Sequence, residues 1–325
     1  MTEQVERKPE GKRNIFHIFL LTLALLVPGI FWMIFGWASS LLPLMIFIFI
    51  QKYGWSHTNR HLIIAMLAAT AGGYFFQGLE VTLFSMSLLP MGYVIAYSSQ
   101  RGDAPWYAGL QGTVVLAVSF TVFFSLTTAN SDISFFHAIT ASLNNGIDEA
   151  LRLYRANDTM SAENFVILEQ TLNQMKTVAP IILPAVLGSL LVITNWITVI
   201  LGNTLLPKLG CQAPWQSYSL WRLPDKLIWI LIASAVFAVI PSETTQVIGI
   251  NCLILTILPY CFQGLAVIVY MLNRWNVPRY LRALIYIMVA LQSFGTIILI
   301  IIGIADVWFD IRKITTDRTK NTTIN

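Results

Sequence analysis

The chain has 325 residues, of which 56% are hydrophobic and 11% charged, and its formal net charge is +4 at pH 7. Mean hydropathy is +0.68, and a soluble domain carries about 25% charged residues, so most of these side chains cannot face water and a bilayer is the expected solvent. The basic residues are spread over loops as orientation signals and not gathered on one folded face, which excludes a nucleic-acid partner.

A helix crosses roughly 30 Å of hydrocarbon with about 20 apolar residues. The apolar runs here are continuous and lack the period-two alternation of lipid-facing strands, so helices are expected and not a barrel. The fold class expected is all-α, a polytopic transmembrane helical bundle of eight or nine spans with an extracytoplasmic amphipathic helical hairpin.

Residues 1–13 form a cytoplasmic tail carrying Arg7, Lys8, Lys12 and Arg13. A first transmembrane group, 14–127, opens with spans at 14–35 and 38–51, where Pro28-Gly29-Ile30 and Gly36 mark a kink and a turn. The first reads as an uncleaved helix, because its apolar stretch is long for a signal peptide and no small-residue cleavage site follows. The second is short for a full crossing. Spans at about 61–78 and 81–98 are joined near Gly78-Leu79-Glu80, and a fifth runs about 106–127. Ala65, Ala69 and Gly73 recur at four-residue intervals, a small-residue face that permits close helix approach.

From 128 to 176 the chain turns polar. Ile133, Phe136, Ile139, Leu143, Ile147, Leu151 and Tyr154 form one apolar stripe, Asn157-Asp158-Thr159 breaks it, and Ser161 can cap a second helix with Glu163 in its first turn. Phe165, Leu168, Leu172 and Met175 carry the apolar face onward. Three roles are open for this hairpin: a lid on the helix ends, a helix pair in the outer membrane interface, or a docking surface for a partner.

A second transmembrane group, 177–306, is expected to contain spans at 177–206, 227–241, 245–272 and 282–305, followed by a polar tail, 307–325. Lys52, Arg60, Arg101, Lys208, Arg222, Lys226, Arg274, Arg279 and Arg282 then share the cytoplasmic side with the N-terminus, and the acid-rich 128–176 segment lies outside. Nine crossings export the tail, which carries Arg312, Lys313, Arg318 and Lys320. Eight would retain it.

Phosphate loops, metal-binding His-Glu-x-x-His helices, nucleophile elbows and dinucleotide turns are absent from the sequence, so no catalytic residue, metal or cofactor is expected and a transport role would need a separate energising protein. Cys211, Cys252 and Cys261 have neither disulfide-scaffold nor metal-ligand spacing. His17, His57, His61 and His137 fall near span borders.

Polar groups inside apolar runs are more informative, because hydrocarbon offers them no partner. Asn195, Asn251, Gln263 and Gln292 are the candidate ligand-binding residues, expected to converge on one internal region, while Gln77 and Asn203 are further amides inside the spans. Helix-to-helix hydrogen bonds would satisfy the same groups with no ligand.

Trp221, Arg222, Pro224 and Asp225 form a polar and aromatic collar before the span at 227. Pro224 is expected near the first helical turn, Asp225 beside the positive helix end and in reach of Arg222. Interfacial anchoring and partner docking are both open for this collar. The Trp221-Arg222-Leu223-Pro224-Asp225 block, together with the Gly303-x-x-Asp306-x-x-x-Asp310-x-Arg312 ending, resembles the YybS-like family of bacterial integral membrane proteins. That resemblance implies the bacterial cytoplasmic (inner) membrane and no settled activity. The family is distantly similar to the substrate-binding subunits of energy-coupling-factor vitamin transporters, which implies a helical bundle with a small-molecule cavity. This chain departs from those subunits in its additional spans and long exported segment. Two functional classes follow: a transport-type subunit binding a small molecule between helices, and a non-catalytic envelope scaffold that docks other proteins.

Overall fold

The computed structural model describes residues 10–129, 135–156 and 161–313. Every regular element among them is helical. In chain order these are α1 (Glu10–Ile30), α2 (Trp32–Phe35), a 3-10 stretch Gly36–Leu41, α3 (Leu42–Tyr53), α4 (Trp55–Phe75), α5 (Leu79–Ser87), α6 (Leu89–Gln100), α7 (Pro105–Thr127) and α8 (Phe135–Ala156). After them come α9 (Ala162–Lys208), α10 (Leu227–Val239), α11 (Glu243–Arg274), α12 (Arg279–Leu291) and α13 (Ser293–Phe309).

Five helical stretches are long and apolar enough to cross a membrane: Trp32–Tyr53, Leu79–Gln100, Pro105–Thr127, Glu163–Lys208 and Glu243–Arg274. A sixth arises if Arg279–Val289 and Phe294–Phe309, bent by 103°, count as one span. Asn14–Ile30 and Leu227–Val239 are apolar but shorter. The exterior of α7 shows the solvent these helices are built for. Leu110, Val114, Val118 and Val122 are exposed at four-residue steps, while Ala108, Gly109 and Gly112 are buried on the other face.

Three expectations change. The first boundary falls at Phe31 and not near Gly36, because Pro28 is accommodated inside α1 while Phe31 (φ −115°, ψ 50°) leaves helical geometry. The expected span at 282–305 is interrupted at Gln292 (φ −99°, ψ 125°), where the chain swings through the 103° bend. Gly295 makes that turn possible, since a Cβ there would collide with the Val289 carbonyl. Third, the helix expected from Ser161 and the span expected at 177–206 are a single 47-residue helix, α9, with no break at 176.

Ser161 does cap α9, its hydroxyl accepting from the Asn164 N–H at 3.4 Å. The breaker Asn157-Asp158-Thr159, Ile133 and the tail charges Arg318 and Lys320 lie outside the described residues.

The chain forms two compact units. One takes in Met1–Phe123 and Leu191–Gln216; in it α1 packs on α4 and α5, α3 on α6, and the small face Ala65, Ala69 and Gly73 is buried at the α4 contacts. The other takes in Phe124–Leu190 and Ser217–Asn325, where α11 packs on α10 and α13.

Candidate functional site

The densest polar arrangement lies in the second unit, where α11 and α13 cross with their backbones touching. A Cβ on Gly264 would collide with the Leu299 carbonyl, and one on Gly303 with the Tyr260 carbonyl. One turn beyond Gly303 this contact sets Asp306 beside Gln263, whose Nε2 donates to Asp306 Oδ2 at 2.6 Å.

Asp310 ends α13 in the left-handed conformation (φ 42°, ψ 55°), with its N–H on the Asp306 carbonyl. Aspartate tolerates that conformation better than most residues. The turn brings Arg312 back over the helix end, where Nε donates to both Asp306 oxygens at 3.2 and 3.3 Å and Nη2 donates to Oδ2 at 2.7 Å. Both side chains are essentially sealed, at 0% and 1% exposure.

The collar closes the ring. Arg312 Nη2 donates to the Trp221 carbonyl at 2.9 Å and Nη1 to the Ser219 carbonyl, while the Leu223 N–H donates to Gln263 Oε1 at 3.1 Å. Tyr218 donates its hydroxyl to the Phe262 carbonyl at 2.6 Å and meets the buried Trp221 edge-on. Arg222, as expected, reaches Asp225 at 3.3 Å; it also donates to the Val307 carbonyl at 3.1 Å and lies 3.6 Å from Asp310. Pro224 precedes α10, its carbonyl accepting from the Leu227 N–H at 3.0 Å. A buried ion pair repays its desolvation only when its remaining donors and lone pairs are used, and here the backbone of the collar uses them.

Gln263 stands eleven residues, about 16 Å, before Arg274 along α11. No charged residue lies between them. The collar therefore meets α11 within its apolar run and not at its charged end. Irregular backbone at such a depth must be enclosed by protein, which is what the ring does.

The family described as "Predicted membrane protein (DUF2232)" matches residues 15–307. The chain belongs to this family. The expected resemblance to an uncharacterised multi-spanning membrane family is thereby met. No curated protein and no solved structure matches the chain. The stretch shared with DUF2232 takes in the collar, Gln263 and Asp306 and stops short of Asp310 and Arg312.

Within the second unit, the candidate amides Asn251 and Gln263 of this DUF2232 member do not converge. Asn251 and Gln263 share α11 but are twelve residues, about 18 Å, apart along it. Asn251 lies against α9, where Nδ2 donates to the Ile181 carbonyl at 2.7 Å and Oδ1 accepts from the Ala185 N–H at 2.8 Å. Those groups bracket Pro184, whose missing N–H weakens that turn, so the amide acts as a splint. Nδ2 also donates to the Val247 carbonyl at 2.8 Å, so both amide N–H groups are used. In the first unit, buried Asn195 donates to the Gly109 carbonyl and, at 3.1 Å, to Thr113 Oγ1. Gln292 is exposed at the α12–α13 break. Asn203 holds the loop after α9, accepting from the Trp215 N–H at 2.9 Å and donating to the Gln216 carbonyl at 3.0 Å.

Sequence reading placed Arg312 among tail charges and missed its burial. The signal available was its place in the Asp306-Asp310-Arg312 ending. It also took His17, His57 and His61 separately, whereas in the first unit their rings cluster, His17 and His57 against Tyr53 and the His57 and His61 rings stacked at 3.9 Å. Among the described residues no group of three His, Cys, Asp or Glu is arranged to hold a metal ion.

Proposed function

We propose that this protein is a non-catalytic, multi-pass envelope scaffold of the bacterial cytoplasmic (inner) membrane. The observation that carries this reading is the self-sufficiency of the polar groups along α11 in the second unit: Asn251, Gln263, Asp306 and Arg312 make their hydrogen bonds to backbone and to each other. The eight or nine spans of this reading are reached by adding α1, α4 and the α12–α13 segment to the five long stretches, with the short α10 as the ninth. The N-terminus is cytoplasmic, and α8 with the first turns of α9 forms the exported hairpin. Support for the hairpin comes from the pairs Arg155–Glu169 at 2.6 Å and Lys176–Asp148 at 2.5 Å. An open apolar groove of about 500 Å³, lined by Ile139, Leu143, Ile147 and Leu172, favours docking of another envelope protein there.

One observation favours the second reading, a transport-type subunit with a small-molecule substrate and a separate energising partner: charge is held beside the apolar run of α11, and ionisable groups at membrane depth commonly mark transport paths.

Native mass spectrometry of the gently extracted protein, combined with thermal stability of Asn251→Ala, separates the two. The scaffold reading expects no retained small molecule, a loss of about 1–2 kcal/mol in Asn251→Ala, and partial recovery when Pro184→Ala repairs the splinted turn. A small molecule retained by the native chain and lost from Asn251→Ala would overturn it in favour of transport.

A further inference from the structure

The helix α12 is unlike its neighbours. Thirteen residues give it about 20 Å, too short to cross roughly 30 Å of hydrocarbon alone, and at 103° to α13 it cannot share that helix's path. Its exposed large side chains, Tyr280, Leu281, Leu284, Ile287, Met288 and Leu291, recur at helical spacing on one face. The opposite face carries Arg279, Arg282 and Tyr286. Arg282 is committed to the chain, donating from Nε to the Val277 carbonyl at 2.6 Å and from Nη1 to Asn273.

Arg274 and Arg279 are exposed and donate to no other described residue. They flank the turn at Trp275–Pro278, and Trp275 and Tyr280, both largely exposed, stand next to them. The turn itself closes the end of α11, with Asn276 in the left-handed conformation (φ 50°) and the Val277 N–H on the Leu272 carbonyl.

We propose that α12 lies in the plane of the membrane surface and binds the anionic phospholipid leaflet, its apolar face in the acyl region and Arg274 and Arg279 on the headgroup phosphates. The occupant follows from position and charge. α12 begins directly after the charged end of α11, a helix apolar and long enough to span, so bilayer must meet it there. Two uncommitted guanidinium groups beside a Trp and a Tyr complement phosphate at the headgroup level.

The test uses the full chain in nanodiscs, in a background without Cys211, Cys252 and Cys261. Probes on Leu284→Cys and Leu291→Cys sit about 10 Å apart along α12. Depth-resolved quenching by lipid-attached quenchers should place both at the same shallow level. A depth difference near the full 10 Å would make α12 half of a broken span and overturn the proposal, and shielding from both lipid and water quenchers would do so in favour of a protein partner or second copy. Independently, stabilisation by phosphatidylglycerol should exceed that by phosphatidylcholine. Roughly fivefold per arginine is expected, so Arg274→Ala with Arg279→Ala should weaken apparent phosphatidylglycerol affinity at least tenfold and leave phosphatidylcholine unchanged. The paired Arg→Lys variant should retain most of it. Equal response to the two lipids, or an unaltered Ala variant, would refute the anionic assignment.

Discussion

Arg312 commits all three guanidinium nitrogens, to Asp306 and to the Ser219 and Trp221 carbonyls, in a position with no access to solvent. Removing the cation alone strands a carboxylate in an apolar surround, which costs more than removing both partners. Arg312→Met should therefore destabilise the chain by about 3–5 kcal/mol, and adding Asp306→Leu should restore part of that loss. Denaturant unfolding in detergent micelles measures both, and a double variant less stable than the single one would show that the pair is not the element at stake. The collar and the ending were legible as motifs, and the amides as buried hydrogen-bonding groups. Their partners were not. Asn251, Asn195 and Gln263 bond largely to main-chain groups, and every residue has those, so sequence carries no mark of which carbonyl or N–H a given amide will meet. Arg312 was hidden by its surroundings, because a charge past the end of an apolar run reads as an orientation signal until a backbone turn at Asp310 folds it back.

At the scale of elements, apolar runs located the helices well, since a run of about 20 apolar residues has few other uses. The break at Gln292 escaped notice because one amide and one glycine barely lower the mean hydropathy of 282–305, while a backbone leaving helical geometry at one residue redirects the whole segment. Helix contacts depend on similarly small signals. Gly303→Val would drive a branched side chain into the Tyr260 carbonyl and should cost about 1–3 kcal/mol or more, separating α13 from α11. Gly146→Ala on α8 is the opposite case, since a Cβ there meets nothing within 4 Å. It should stabilise the helix by about 0.5–1 kcal/mol. Thermal unfolding of the two variants in one detergent reads the contrast; equal effects would mean that backbone approach does not govern the α11–α13 crossing.

For the whole molecule, the distribution of charge makes a claim about sides. An acid-rich 128–176 segment between basic loops should be extracytoplasmic. A single cysteine at Asn157, in a chain lacking its native cysteines, is expected to react with an impermeant thiol reagent in intact cells. Reaction only after permeabilisation would reverse the orientation of every helix. The composition of the last crossing then depends on α12. If it lies flat, α13 crosses alone; if not, the bent pair makes the crossing together.

The ring at the collar also has a schedule. Ser219 and its partner Arg312 are 93 residues apart in the chain. At about 5–20 residues per second, ribosomal synthesis leaves an interval of roughly 5–20 s between them. Through that interval the Ser219 and Trp221 carbonyls lack the guanidinium that they bond in the folded chain. Asp306, made shortly before Arg312, waits only briefly for its partner. A nascent chain stalled inside this window leaves without a partner two carbonyls that the folded chain pairs with a buried cation.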